Sequence, residues 1–240
     1  MKIIVCENYR EMSAEGAARI AALLKAKPAC VLGLATGSTP VGMYQDLIAM
    51  NQAGEISFAD VTSYNLDEYF PIEPTHEQSY RYFMNVNLFD HVDIDKTRTF
   101  VPNGLSKDPE KEGAAYDTAI DAAGGVDLQV LGIGQNGHIG FNEPDEALIA
   151  GTHVTALTDN TIEANARFFA SKADVPTHAF TMGIGSIMKA KSILLLANGA
   201  NKHAAVAQML DDKITTSCPA TMLKAHPDVT LICDKAAFFG

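Results

Sequence analysis

Residues 131–144, LGIGQNGHIGFNEP, hold the richest set of chemically active side chains in the sequence. An amide, an imidazole and a carboxylate occur there close together, at Asn136, His138 and Glu143, among four glycines. Histidine is well suited to moving protons near neutral pH, and a neighbouring carboxylate can fix its tautomer. The glycines allow the backbone to approach a ligand closely. The pattern favours a catalytic loop over the alternative of a structural histidine.

A second candidate is the segment NLDEYF, residues 65–70, which follows a predicted strand. Its adjacent acids, Asp67 and Glu68, must point in different directions, so one of them can enter a crevice while the other pairs or faces solvent. A carboxylate in a partly dry crevice has a raised pKa and can act as a general base. On this segment alone, the favoured interpretation is two solvated acids that open a loop, and the general base is the alternative.

The third candidate is LGLATGSTP, residues 32–40, which predicts a strand, a loop and a helix that starts near Pro40. The loop residues Thr36, Gly37, Ser38 and Thr39 offer backbone N–H groups at a helix N-terminus together with three hydroxyls. This arrangement suits a phosphate group, although a simply capped helix has similar residues. The loop lacks the GK[ST] ending of a Walker A motif.

Two cationic residues and one glycine pattern complete the set of candidate binding residues. Arg167 and Lys202 are candidate phosphate ligands, and otherwise they are solvated surface charges. Gly132, Gly134 and Gly137 match GxGxxG after a strand. A dinucleotide site requires a helix to begin within those glycines, whereas the sequence continues with FNEP. We therefore reject that interpretation.

These candidates must be positioned by an α/β framework. Short apolar runs predict buried parallel strands at 31–35, 61–65, 128–133, 179–182, 193–197 and 229–233. Helical patterns lie at 13–26, 40–50, 110–122 and 201–210. The alternation predicts a single-domain, doubly wound, mostly parallel sheet flanked by helices, in which ligands bind beyond the carboxyl ends of the strands. One domain over residues 1–240 suffices.

Composition restricts the function classes. The 240 residues carry a net charge of −11 without a Lys/Arg run, which argues against a nucleic-acid or anionic-membrane partner. The four scattered cysteines form no CxxC pair, so a structural zinc site is not expected. A secretory signal and an apolar run of about 18 residues are both missing, so we expect a soluble, cytoplasmic protein.

Taken together, ATGSTP, NLDEYF, GHIGFNEP, ANARFF and the GANK turn resemble the glucosamine-6-phosphate deaminase family, in the family's order and over nearly the whole chain. The resemblance implies the Rossmann-like fold shared with ribose-5-phosphate isomerase and the CoA-transferase superfamily. It also implies isomerising deamination of glucosamine 6-phosphate to fructose 6-phosphate and ammonia, in amino-sugar catabolism, with no metal or cofactor.

The resemblance also assigns roles to individual residues. It makes Asp67 the enolisation base and His138 the ring-opening residue, supported by Asn136 and Glu143. Residues Thr36 to Thr39 become the phosphate loop, with Arg167 and Lys202 gripping the same phosphate. A mobile lid is expected over residues 152–180.

Two departures from the family pattern carry their own expectations. Asn136 stands where many relatives have aspartate, so Glu143 must carry more of the charge that balances an imidazolium. The stretch at 148–155, LIAGTHVT, lacks the basic residues of members regulated by N-acetylglucosamine 6-phosphate, and the C-terminal tail is short. We therefore expect an unregulated enzyme, and a monomer or a small homo-oligomer.

Three other functions compete with this one. A 6-phosphogluconolactonase shares the scaffold but typically continues GHTASLFP where this chain reads GHIGFNEP. A galactosamine-6-phosphate deaminase differs in substrate by one hydroxyl. A non-catalytic sugar-phosphate sensor is expected to lack one of Asp67, His138 or Glu143, and this chain retains all three.

Overall fold

A twisted parallel sheet forms the centre of the protein, as seen in a computed structural model that describes residues 1–158, 162–163, 166, 169, 171 and 174–240. Its strand order is β1-β10-β9-β6-β2-β3-β5, and every pairing is parallel. The strands of this sheet are β1 Lys2–Cys6, β2 Val31–Leu34, β3 Thr62–Asn65, β5 Thr99–Phe100, β6 Leu128–Gly132, β9 Ile193–Ala197 and β10 Val229–Asp234.

Helices cover both faces of this sheet, so its central strands are apolar on both sides. On one face, Gly16 of α1 lies close to Met43 of α2 and Leu196 of β9. On the other face, Tyr64 of β3 donates a hydrogen bond to the Ala119 carbonyl of α4. The α-helices described are α1 Tyr9–Ala26, α2 Val41–Gln52, α3 Tyr80–Asn87, α4 Pro109–Ala122, α5 Ile184–Met188, α6 His203–Leu210 and α7 Lys235–Phe239. Short 3-10 helices lie at Phe89–His91, Lys96–Arg98, Ala200–Lys202 and Pro219–Ala225.

A second sheet of three antiparallel strands lies beyond the carboxyl edge of the first. It consists of β4 Asp67–Phe70, β8 His178–Thr181 and β7 His153–Ala156, with β8 in the middle. A small apolar cluster that includes Tyr69, Phe141 and Ala179 packs against it. The main core is separate and lies between the parallel sheet and its helices.

The predicted fold class is confirmed, with two corrections. The run at 179–182 is a strand, but it is the antiparallel β8 of the small sheet and not a member of the parallel sheet. Ala179 is buried in the second cluster and Met182 in the main core, and a sequence pattern cannot tell which of the two buries a short apolar run. The segment at 67–70 is the strand β4 and not a loop, because it pairs with β8 along its whole length.

Other local predictions agree more closely. The helices at 13–26, 40–50, 110–122 and 201–210 correspond to α1, α2, α4 and α6, with ends that shift by a few residues. Residues 133–152, all of them described, contain no helix, which agrees with the rejection of a dinucleotide site. All four cysteines are buried free thiols. None of the helices that the structure describes has the length and apolar content needed to cross a bilayer.

Candidate active site

The candidate residues converge on the carboxyl edge of the parallel sheet. β9, β6, β2 and β3 are consecutive neighbours, so the loops that follow them lie side by side. Chain order reverses direction between β6 and β2, which is the position where open α/β sheets form a ligand crevice. The phosphate-loop candidate follows β2, and the loop with His138 follows β6.

Asp67 is the first residue of β4 and is only 7% exposed. Burial, and secondarily the charge of Glu68, raises the pKa of its carboxyl from 3.8 to about 8. Its Oδ1 atom is buried and has no hydrogen-bond partner among the described residues. A buried carboxyl group without an internal partner can exchange a proton with a ligand near neutral pH.

Glu68 points away from Asp67, as the alternation of a strand requires, and is 2% exposed. Its Oε1 atom accepts hydrogen bonds from the backbone N–H groups of Tyr69 and Tyr80, at 2.9 and 2.8 Å. Its Oε2 atom accepts one from Arg81 N at 3.0 Å. Glu68 therefore fixes β4 to the N-terminal turn of α3. The interpretation of two solvated acids is wrong for this pair.

The loop after β6 brings Asn136, His138 and Glu143 into contact. Asn136 Nδ2 donates to Glu143 Oε2 at 2.6 Å, and its Oδ1 accepts the His138 backbone N–H at 3.2 Å. His138 Nδ1 lies 3.3 Å from the same Glu143 oxygen, which is an ion-pair separation without hydrogen-bond geometry. Glu143 therefore faces both the amide and the imidazole. The imidazole packs against Gly134, where a Cβ atom would lie 2.3 Å from the ring.

Thr181 joins the strand that begins with Asp67 to the loop that carries His138, and sequence reasoning missed it. It is the register partner of Asp67 across β4 and β8, and its Oγ1 accepts the Phe141 N–H at 3.0 Å.

Asn142 strengthens the same connection: its Nδ2 donates hydrogen bonds to Ile139 O and Met182 O, at 2.9 and 2.8 Å. These contacts hold the His138 loop against the strand that pairs with β4. An amide next to Glu143 was a visible signal for Asn142, whereas nothing in the sequence marks Thr181.

The phosphate-loop candidate is an open turn between β2 and α2. Gly37 and Ser38 are exposed, and Gly37 has a φ of +90°, a conformation that favours glycine. The α-helix begins at Val41, one residue later than predicted, with Pro40 as the residue before it. Thr39 Oγ1 donates to Asn198 Oδ1 at 2.9 Å, so the Thr39 hydroxyl already has a protein acceptor.

Lys202 ends the short helical turn that follows β9, at the same edge of the sheet. Burial lowers the pKa of its half-buried ammonium group below the ordinary value. Arg167, the other predicted cation, lies outside the described residues, as does part of the predicted lid at 152–180. The candidate site thus combines carboxyl and imidazole groups with hydroxyls, backbone N–H groups and a cation at one edge of the sheet.

Comparisons with known proteins show which family the chain belongs to. Residues 7–232 match the family described as glucosamine-6-phosphate isomerases/6-phosphogluconolactonase. The chain is 58% identical over 237 residues to glucosamine-6-phosphate deaminase of Clostridium perfringens strain 13, covering 99% of this chain and 98% of the relative. It is 54% identical to the same-named protein of Thermoanaerobacter pseudethanolicus, covering 99% and 94%. The chain belongs to the glucosamine-6-phosphate deaminase family.

Two solved structures resemble this protein to different degrees. A monomeric glucosamine-6-phosphate deaminase superposes with a TM-score of 0.96 at 44% identity, covering 99% of this chain and 98% of that one. The 6-phosphogluconolactonase of Trypanosoma brucei superposes with a TM-score of 0.77 at 19% identity, covering 98% and 97%. The second likeness extends to the fold alone.

Proposed function

We propose that this chain converts D-glucosamine 6-phosphate and water to D-fructose 6-phosphate and ammonia. The observation that carries the proposal is the Asp67 carboxyl group, which is buried, raised in pKa to about 8 and clamped beside the loop of His138 and Glu143. That arrangement suits removal of a proton from carbon next to a carbonyl group. The relatives at 54% and 58% identity bear the name of this reaction.

Substrate binding begins at the phosphate. Backbone N–H groups of Thr36 to Thr39 and the hydroxyls of Thr36 and Ser38 bind its oxygens at the start of α2, where the helix dipole favours negative charge. Lys202 supplies a cation from the neighbouring turn, and Arg167 supplies a second one. The phosphate lies far from the reacting carbons, so its binding energy orients carbon 1 and carbon 2 towards the proton-transfer groups.

Ring opening is the first chemical step. His138 transfers a proton between the anomeric hydroxyl and the ring oxygen, which breaks the hemiacetal bond and releases the aldehyde. Glu143 balances the charge that the imidazole carries during this transfer, and Asn136 holds Glu143 in place through the 2.6 Å hydrogen bond.

Enolisation and hydrolysis follow. The ionised Asp67 removes the proton on carbon 2, giving an enolamine, and returns a proton to carbon 1. The resulting imine at carbon 2 adds water and releases ammonia, which leaves the ketose. These steps require positioned acid–base groups, and every proton taken by Asp67 is given back within one turnover.

The wider setting is part of the same proposal. Residues 152–180 form a lid over the bound sugar, with β7 and β8 of the small sheet anchoring its two ends. The enzyme works in the cytoplasm as a monomer or a small homo-oligomer, without a nucleic-acid or membrane partner. A deaminase of similar structure is described as monomeric, and the net charge of −11 opposes binding to polyanions.

The test is to incubate the purified protein with glucosamine 6-phosphate and to measure ammonia and fructose 6-phosphate together. We expect equal release of both products, and a loss of at least about 10³-fold in kcat for Asp67→Asn, because the amide cannot accept the carbon-bound proton. Asp60→Asn, at an exposed position, serves as the matched control.

Each other outcome has a defined meaning. If the wild type releases neither product, the proposed reaction is wrong, and galactosamine 6-phosphate and 6-phosphogluconolactone become the substrates to test. If Asp67→Asn keeps full activity, the reaction stands but its base is another group.

A further inference from the structure

The phosphate loop and the Lys202 turn are joined by one side-chain hydrogen bond. Thr39 Oγ1, at the end of the loop, donates to Asn198 Oδ1 at 2.9 Å, across 159 residues of sequence. Asn198 is the first residue after β9, and the Lys202 turn begins at the next residue, Gly199. The hydrogen bond therefore connects the two segments that carry the proposed anion donors.

The Lys202 turn is also held by Asp234, the last residue of β10, through contacts that do not involve Asn198. The Gly199 N–H donates to both carboxylate oxygens of Asp234, at 3.0 and 3.1 Å, and Ala237 N–H donates to Oδ1 at 2.7 Å. Asp234 is 7% exposed. Gly199 has a φ of +89°, so the chain leaves β9 through a turn that favours glycine and is held by a buried carboxylate.

The phosphate loop is fixed from its other side by Tyr9 of α1. The Tyr9 hydroxyl donates to Ser38 O at 3.0 Å and accepts the Gly42 N–H at 2.8 Å. With Tyr9 on one flank and Asn198 on the other, residues 38 and 39 are attached to two separate parts of the protein. The loop is thus pre-positioned although Gly37 and Ser38 are exposed.

The ammonium group of Lys202 has no negatively charged partner of its own among the described residues. No carboxylate lies within ion-pair distance of Lys202 in the part of the chain that the structure describes. The nearby Asp234 carboxylate is already hydrogen bonded to backbone N–H groups. A half-buried cation at the same edge of the sheet as the N–H donors of a helix start is suited to a ligand that brings its own negative charge.

We propose that Asn198 is a positioning residue for the phosphate subsite, acting through Thr39 to hold the phosphate loop at a fixed distance from Lys202. The proposal rests on the proposed function, which makes this edge the phosphate subsite. It also reassigns Thr39, whose hydroxyl proton is directed to Asn198, so that Thr39 contributes to anion binding through its backbone N–H.

The test compares wild type, Asn198→Ala, Thr39→Val and the double variant. For Asn198→Ala we expect the KM for glucosamine 6-phosphate and the dissociation constant of inorganic phosphate, measured by calorimetry, to rise together. The rise is about tenfold, as expected for one hydrogen bond, while kcat changes by less than about twofold. In the Thr39→Val background, Asn198→Ala adds no further loss. Thermal unfolding confirms that each variant is folded.

Asn51→Ala is the matched control, because the Asn51 amide also anchors a loop, through Ile56 O and Asp93, at the end of α2 remote from its N-terminal phosphate loop. It leaves KM and phosphate affinity unchanged. An unchanged KM and phosphate affinity in Asn198→Ala, or additive effects with Thr39→Val, would overturn the positioning role. If the wild type binds phosphate but does not deaminate the substrate, the proposed function fails, whereas the calorimetric comparison still decides the role of Asn198.

Discussion

At the scale of single residues, the site depends on two adjacent buried carboxyl groups with different surroundings. Burial raises the pKa of Asp67 to about 8 and that of Glu68 to about 7, the latter opposed by three backbone hydrogen bonds. Asp67 keeps an unpartnered oxygen, whereas both oxygens of Glu68 accept backbone N–H groups. Of these two neighbouring residues, Glu68 anchors the strand to α3, and Asp67 keeps an oxygen available for the proton transfer that we propose.

The first prediction concerns the pH dependence of the reaction. Asp67 must be ionised to accept a proton, so kcat/KM for the wild type rises as pH increases towards about 8 and then levels off. Glu68→Gln removes the negative charge beside Asp67, which lowers the pKa of Asp67 and moves this rise to lower pH. The measurement is kcat/KM between pH 5.5 and 9.5, a range of about four pH units around those pKa values.

Glu55→Gln at an exposed position is the control, and its profile matches the wild type. Glu68→Gln also leaves the Arg81 N–H facing an amide NH₂ group, so we expect the free energy of unfolding to fall by about 1–3 kcal/mol. A profile of Glu68→Gln that coincides with that of the wild type contradicts electrostatic coupling of the two acids.

At the scale of elements, the small antiparallel sheet determines how Asp67 is placed relative to the loop that carries His138. β4 carries Asp67, β8 pairs with it, and Thr181 at the end of β8 accepts the Phe141 N–H from the loop. Gly140 permits the close approach, because a Cβ atom there would lie 2.7 Å from Thr181 Oγ1. The loop that carries His138 is therefore attached to the second sheet as well as to β6.

The second prediction tests this fastening. Thr181→Val preserves the shape of the side chain but leaves the buried Phe141 N–H without its acceptor, at a cost of about 1–3 kcal/mol of stability. We expect kcat to fall about tenfold or more, since the loop shifts relative to Asp67, while the affinity for inorganic phosphate stays unchanged. Denaturant unfolding, steady-state kinetics and calorimetry provide the three measurements.

Thr181→Ser keeps the hydroxyl and restores kcat to within about twofold of the wild type. If Thr181→Val and Thr181→Ser have the same kcat, the hydrogen bond does not position the loop.

At the scale of the whole molecule, ionisable groups at the two ends of the sheet affect stability in opposite directions. Asp127, at the start of β6, accepts hydrogen bonds from Lys27, Lys191 and the Val31 N–H, and these hydrogen bonds lower its pKa despite burial. Its contribution to stability is present at neutral pH and is lost as pH falls through its folded pKa. Asp67 and Glu68 have raised pKa values and behave in the opposite way.

The third prediction follows from this difference. A carboxyl group with a raised pKa keeps its proton in the folded state at pH values where the unfolded chain has lost it. The contribution of Asp67 and Glu68 to stability is therefore greatest below their ordinary pKa of about 4 and decreases as pH rises towards 7 and 8. We expect the ligand-free protein to have a lower Tm at pH 8.5 than at pH 6, over a window of about two to three pH units.

Asp67→Asn is the informative variant, because it removes one of the two ionisations, and its Tm should decrease less over the same interval. Asp60→Asn, at an exposed position, should follow the wild type. Equal slopes of Tm against pH for wild type and Asp67→Asn would show that Asp67 is ionised in the folded protein throughout this range.

The sequence alone determined the framework and most of the candidate site. Apolar runs alternating with helical patterns specified the parallel sheet, because each run must be buried between two helical layers. The carboxyl ends of those strands share one edge, so the segments around Thr36, His138 and Lys202 were expected to lie together, and they do. Local spacing was sufficient for the contacts among Asn136, His138 and Glu143, which lie within eight residues.

Only the tertiary structure decided how distant segments meet. Periodicity does not specify which strand is the partner, so the pairing of β4 with β8, the burial of Asp67 and the clamp at Thr181 were not visible in the sequence. The link between Thr39 and Asn198 spans 159 residues and depends on β9, β6 and β2 being neighbours. Strand order and register, which arise from packing of the whole chain, convert a set of suitable residues into a site with defined distances.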